Sequence, residues 1–494
     1  MKPIPPALGR FYDLCMKCVM GAAIVLLPFT SLPLLSRLMG GTMVAPPTIL
    51  FIFVLVIFWL PVYLVRGGKI PREMVPLLVF VCIALIASAA AFFRYFPAYK
   101  GLTIQSAELD AIITFAIGIA TYIIVALWHR DQDRMTLTLK LINWSGLAML
   151  IWSFLQLAYI LFRNGYYPNI LVQIQSFLST RTLLDPGFRV RVGGLTYEPS
   201  WLAHELNLIY LPYWLAATIT GHSALKKIWR ISMENLLLLG GLVILYFTIS
   251  RVGLLAFLLM VAFVFYRLNV VLIRWLQNRL KQRPAIARLQ LDKVIPPMTI
   301  LVVVLIYLGA VVGLLVVWAH FDPRTASLLS LKAIPTDLFD FAFRVDFAER
   351  VVYWSIGWSV FARYPILGVG LGNTGFFFQQ YLPNIGYRLP EIVTVLDKAA
   401  FLPNIKSLWI RLLSETGLVG FSVFAAWQVV LWKVGTYLRA NRSALVRTLG
   451  WMGAFAILAF VAEGFSIDSF ALPYLFVAMG LLTASRTIAH QQPA

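Results

Sequence analysis

Arg189, Arg191 and Arg251 sit at or beside the ends of apolar segments, on the side of the chain where a general excess of basic residues does not account for them. Arg251 occupies a short turn, Thr248-Ile249-Ser250-Arg251-Val252-Gly253, at the head of the helix that follows. Unpaired N–H groups and the helix dipole already favour an anion there, and phosphate is the natural guest. Arg189 and Arg191 add guanidinium forks of the kind that grip diphosphate oxygens in pairs. The plainer alternatives are that Arg251 snorkels to lipid headgroups and that Arg189 is an unconstrained loop residue. Glu198 precedes Pro199, a residue suited to a first helical turn. Its carboxyl therefore starts a helix seven residues beyond Arg191, and it is the better acid/base candidate.

His204 and Glu205 follow within two turns, inside an apolar slab where ionisable groups are costly and are functional candidates by default. Of the five histidines, His204 is the intramembrane one. The alternatives are a neutral imidazole bonded between helices for His204 and an arginine partner for Glu205. Further on, Arg350 opens an amphipathic stretch. Asn404 and Arg411 open a late apolar segment, and Arg411 and Glu415 are spaced to pair across one helical turn. Glu463 and Asp468 flank an outer turn and read as solvated caps.

The elements that must position these groups are membrane helices. With 60% hydrophobic and 13% charged residues, the chain is far more apolar than soluble proteins, which carry about 25% charged residues. Apolar windows predict an all-α polytopic membrane protein of about 12 transmembrane helices, near 15–35, 46–65, 73–93, 109–127, 141–162, 200–219, 234–249, 253–274, 297–319, 406–432, 446–463 and 469–485. The first is read as a retained helix, not a cleaved signal. With a cytoplasmic N-terminus, the inner segments hold 24 Lys+Arg against 6 acids and the outer ones 17 against 15. That asymmetry places both termini inside. It also makes the net charge of +20 a membrane-lipid feature, densest over Arg267 to Lys293, and argues against nucleic acid as a partner. Three cysteines support neither a disulfide framework nor a zinc site.

The expected organisation is helices one to nine over 1–319, an extracytoplasmic cap loop over 320–405, and helices ten to twelve with a cytoplasmic tail over 406–494. Within the cap, Phe347, Val351, Trp354, Trp358 and Phe361 line one face of an amphipathic helix. That face suits either a membrane interface or packing within the cap. The run Pro365 to Asn373 lacks the Gly-Lys-Ser/Thr ending of a nucleotide loop and reads as a tight backbone turn.

In this order, the stretches Arg191-x-x-Gly194-Leu195-Thr196-Tyr197-Glu198-Pro199-Ser200, Ser250-Arg251-Val252-Gly253, Arg350 with Trp354 and Pro365 through Asn373, and Asn404 to Gly420 resemble the O-antigen ligase and polymerase superfamily. The resemblance runs from the fifth apolar segment onward. It implies an enzyme of the bacterial inner membrane that takes a glycan from undecaprenyl diphosphate at the outer face and passes it to a second glycan or to lipid A core, with neither a metal nor another cofactor. A chain-length regulator is an implied partner. Arg191, Arg251 and Arg350 would hold the leaving diphosphate, and Asn404 and Arg411 the acceptor side. Where such ligases are expected to have His-Asn, this chain has Pro403-Asn404. That departure favours a polymerase, with Glu198 as base and His204 in reserve, over a ligase. A lipid-linked sugar flippase is the competing class, disfavoured because the ionisable groups gather in the outer third of the spans.

Overall fold

The computed structural model describes residues 6–38, 44–281 apart from 228 and 230, isolated positions between 301 and 319, and 338–344, 347–398 and 401–491. Among these residues the elements are all helical. The first group comprises α1 (Pro6–Val25), α2 (Pro33–Leu38), α3 (Thr48–Val54), α4 (Leu60–Val65), α5 (Val75–Ala91), α6 (Ile104–Trp128) and α7 (Gln132–Arg163). Then come α8 (Asn169–Leu178), α9 (Pro186–Val190), α10 (Pro199–Glu205), α11 (Leu211–Thr220), α12 (Met233–Phe247) and α13 (Arg251–Lys281). The last group is α14 (Leu338–Arg344), α15 (Ala348–Arg363), α16 (Pro390–Lys398), α17 (Leu408–Leu438), α18 (Ala444–Glu463) and α19 (Tyr474–Gln491).

Seven helical stretches are long and apolar enough to cross a membrane: Thr48–Val65, Arg72–Ala91, Ile104–Trp128, Gln132–Arg163, Arg251–Trp275, Leu408–Leu438 and Ala444–Glu463. They coincide with seven of the twelve expected segments. The first expected segment is displaced: α1 begins at Pro6 and ends at Val25, because Pro28 and Pro33 cannot continue a helix. The last starts at Tyr474, directly after Pro473. The expected ninth span and the opening of the cap, with His320, lie largely outside the described residues.

Two helices widen into π turns, Leu55–Trp59 and Leu206–Tyr210. Each lies just before a proline, Pro61 or Pro212. Proline has no N–H to close the usual bond and its ring presses on the preceding turn, so the helix loosens there. Through the second π turn, α10 runs on into α11 as one path from Pro199 to Thr220.

The chain divides into two compact units, one of Met1–Phe257, Ile356–Tyr381 and Ala400–Ala494, the other of Leu258–Ser355 and Leu382–Ala399. The first has an aromatic core. Phe424 of α17 meets Phe80 edge to face at 5.1 Å, and Tyr122 of α6 meets Trp427 at 5.2 Å. In the second, Tyr353 donates to Glu391 of α16 at 3.2 Å.

The amphipathic helix of the cap forms as α15, but its buried positions are Val352, Tyr353, Ile356 and Val360. The face predicted from Phe347 to Phe361 is the more open one, with Trp358 54% exposed.

Candidate functional site

The loop that carries Arg191 is shaped from the helix beneath it. Gln156 of α7 accepts from the Gly193 and Gly194 N–H groups at 3.2 and 2.8 Å and donates to the Gly194 carbonyl at 2.9 Å. Gly194 turns with φ +59°, a conformation that costs a side-chain-bearing residue. The Thr196 hydroxyl then spans the Gly193 and Glu198 carbonyls at 2.8 and 2.7 Å. This fixes the extended N-cap at Glu198, from which α10 departs.

At that N-cap, Glu198 Oε1 accepts from Arg181 at 2.9 Å and Oε2 from the Ser200 hydroxyl at 3.1 Å. The Glu198 side chain is 40% exposed. Arg181 also bonds Asp185 at 2.7 Å and lies over the Tyr197 ring at 5.3 Å. Burial opposes the Arg181 charge, but the Asp185 bond and the field of Glu198 more than offset it and hold its pKa above the ordinary arginine value. Sequence reasoning missed Arg181. Its signal was the Arg181/Asp185 spacing of four in a polar loop, a pattern with many bland explanations.

Arg191 Nε donates to the Thr248 carbonyl at 2.8 Å, and the Val192 N–H to the Phe247 carbonyl at 2.9 Å. The loop is thereby laced to the turn between α12 and α13, and that turn carries Arg251 as the first residue of its helix. Two of the predicted arginines thus belong to one backbone assembly. Arg189 is exposed and lies over the Tyr166 ring at 5.2 Å. Arg350 is half-buried at the start of α15, in the second unit.

His204 is buried, with Nδ1 2.6 Å from Glu463 Oε2. Asn207, in the π turn, donates to the other oxygen of Glu463 at 2.7 Å and to the Gly253 carbonyl at 2.8 Å. Glu463 is itself fully buried, so the expectation of a solvated cap is overturned. A carboxylate with two helix-borne partners is retained inside because its lone pairs are satisfied there. Glu205 is buried, and among the described residues no arginine pairs with it. A further buried acid, Glu234 of α12, accepts from Asn143 at 2.8 Å, Ser223 at 2.7 Å and the Ala224 N–H at 3.0 Å.

A cavity of about 370 Å³ is lined by Asn404, Arg411 and Glu415 together with Asp110 of α6, Thr374 and Asp468. Both residues expected on the acceptor side line this cavity, and α17 supplies one wall of it. That wall depends on a break in α17. Gly417 adopts φ 64°, ψ −170° within the helix, which separates the 414 and 415 carbonyls from the N–H groups of 418 and 419. The glycine run supplies the missing partners: the Val369 and Gly370 N–H groups donate to the Ser414 and Glu415 carbonyls, both at 2.9 Å, while the Leu418 N–H donates to the Pro365 carbonyl at 2.7 Å. A Cβ on Gly417 would lie 2.2 Å from the Ile366 carbonyl oxygen. The run is thus a tight backbone turn, as predicted, and its use is to dock on a helix.

The arginine loop and the cavity flank one short piece of extended backbone. Ala45, next to cavity-lining Val44, exchanges backbone bonds of 3.0 Å with Thr30 and Leu32. On the other side, Thr30 Oγ1 accepts from the Tyr197 N–H at 2.9 Å, and the Thr180 N–H donates to the Ser31 carbonyl at 3.0 Å.

Residues 236–425 match a family model described as O-antigen ligase. The matched stretch includes Arg251, Arg350, the glycine run and Asn404 through Gly420, and begins after Arg191 and Glu198. No match is found among curated proteins. With its apolar helices, the match points to a multi-pass membrane protein whose residues 236–425 are similar to the glycosyltransferase-like enzymes of the O-antigen ligase and polymerase superfamily.

Proposed function

We propose that the chain is a polymerase that transfers a glycan from undecaprenyl diphosphate onto another lipid-linked repeat unit at the outer face of the bacterial inner membrane. The observation that carries this reading is the lacing of Arg191 to the Thr248–Gly253 turn, which unites two guanidinium-bearing segments beside the Glu198 N-cap. The acceptor hydroxyl oxygen bonds to the anomeric carbon as the bond from that carbon to the diphosphate oxygen breaks. The electron pair leaves on the diphosphate, and the hydroxyl proton passes to Glu198. Arg191 and Arg251 stabilise the charge that develops on the leaving group. Arg189 contributes to diphosphate capture, and Asn404 and Arg411 hold the acceptor. A carboxylate has about four lone-pair directions, so the Arg181 and Ser200 contacts leave Glu198 capacity to accept a proton.

His204 is assigned a positioning role, since its Nδ1 faces a buried carboxylate and not an open site. The three-part organisation follows the same reading, with membrane helices over 1–319 and 406–494 and an extracytoplasmic cap over 320–405. The ligase reading draws support from the name of the matched family. It is disfavoured by Pro403 where a ligase is expected to present histidine.

The test uses purified full-length protein in detergent with EDTA and undecaprenyl-diphosphate-linked repeat units. A polymer ladder with release of undecaprenyl diphosphate supports the polymerase. Product that forms only after lipid A core is added establishes the ligase instead. Bound but unaltered substrate with either acceptor removes the transferase reading and turns attention to a flippase.

A further inference from the structure

We infer that the cavity beside α17 admits acceptor sugars that carry no negative charge, neutral or amino, and that Asp110 and Asp468 enforce this selection; the inference rests on the reading of the cavity as the acceptor side. Four titratable groups line the cavity: Asp110, Arg411, Glu415 and Asp468. The Arg411 charge is already engaged. Its Nε donates to Glu415 Oε1 at 2.9 Å, one terminal nitrogen donates to the Asp468 backbone carbonyl at 2.5 Å, and the guanidinium lies over the Phe470 ring at 5.8 Å. With Arg411 and Glu415 compensating each other, Asp110 and Asp468 leave the cavity lining, among the described residues, with a net negative charge. Asp110 is exposed and Asp468 half-buried, so both carboxylates are accessible to a guest.

A second feature points independently to a hydrogen-bond-donating guest. Glu415 is 4% exposed. The Gly372 N–H bears on its carboxylate, yet Oε2 has no hydrogen-bond partner. A buried acceptor without a donor is costly, and a sugar hydroxyl or ammonium entering the cavity would relieve it. The remaining polar lining, which includes Asn404, Thr374, Ser106 and Ser469, offers hydroxyl and amide groups. These match sugar hydroxyls in both directions. The volume lies within the range of small-molecule sites. A uronate or phosphorylated sugar would instead bring a like charge against Asp110 and Asp468, which is how a site rejects the wrong guest.

The test is saturation-transfer NMR on full-length protein in neutral detergent with methyl glucoside, methyl glucosaminide and methyl glucuronide. The expected result is saturation of the first two and at least about tenfold weaker binding of the glucuronide, with discrimination shrinking as salt is raised. Asp110→Asn with Asp468→Asn should close the gap. Asp110→Lys, at an exposed position, should invert the preference toward the glucuronide. Equal binding of all three by the wild type, failure to bind any, or an unchanged gap in both variants would overturn the inference. Polymer formation from native lipid-linked units is scored separately. Charge-selective sugar binding without transfer would sink the polymerase and leave the selection standing.

Discussion

The arginine loop and the cavity are built from opposite materials. Around the loop the chain carries Arg181, Arg189, Arg191 and Arg251 and the acids Asp185 and Glu198, both paired with Arg181, whereas the cavity lining sets Asp110, Glu415 and Asp468 against Arg411 alone. Their backbones differ as well. The loop is extended chain held by Gln156 and by the 247–248 carbonyls; the cavity wall is a helix opened at Gly417 and repaired by a glycine turn. On the function proposed above, the difference is a division of labour. A departing diphosphate is stabilised by fixed cations, and an incoming hydroxyl-rich sugar by carboxylate and amide acceptors. One uniform site would serve one partner at the expense of the other.

The most severe way to break this division is to remove the proton acceptor. Glu198→Gln keeps the shape, the N-cap and an acceptor for Arg181 but cannot take a proton. Turnover with lipid-linked repeat units should fall by about 10² to 10⁴, with undecaprenyl diphosphate binding retained. Turnover within threefold of wild type would remove Glu198 as base and reopen the search on the cavity side. Next in size is Arg251→Ala, for which a loss of about 10² to 10³ in turnover is expected at unchanged membrane expression. Arg251→Lys should recover only part of it, because an ammonium cannot offer the planar fork. The same measurement on Arg191→Ala should give a loss of similar rank. An arginine whose removal leaves polymer unchanged has no place in diphosphate stabilisation.

How far these regions were legible depended on the distance over which the chain closes them. Seven membrane-length helices could be read because hydropathy is local, and Gly368, Gly370 and Gly372, all at positive φ, marked a turn because that need is local too. Arg191 and Arg251 could be singled out as candidate anion-binding groups, but not the connection of their segments, since Arg191 reaches a carbonyl 57 residues away. Glu463 looked like a solvated cap because nothing near it in sequence neutralises it. Its partner, His204, lies 259 residues earlier. Arg181 carried no comparable signal because its partner, Glu198, is 17 residues on, across a fold that no periodicity announces.

The smallest of the three activity effects lies between the two regions. Glu463 binds His204 and Asn207 of the α10–α11 path, and Asn207 also holds the Gly253 carbonyl, two residues beyond Arg251. On the other side, the next residue along, Gly464, accepts from the Leu408 N–H at 2.8 Å and the Ser407 hydroxyl at 3.2 Å at the head of α17, one turn before Arg411. The carboxylate therefore sets the arginine turn and the cavity wall in a common frame. Glu463→Gln keeps the volume and one carbonyl acceptor, so the fold should survive, while the short His204 contact loses its charged partner. The expected loss in turnover is on the order of tenfold, equivalent to about 1.4 kcal/mol. It should appear in kcat, with KM for the lipid-linked substrate little changed. Combined with His204→Gln the loss should be far less than the product of the two single losses, because both variants break one contact. Multiplicative losses would mean that His204 acts on substrate in its own right.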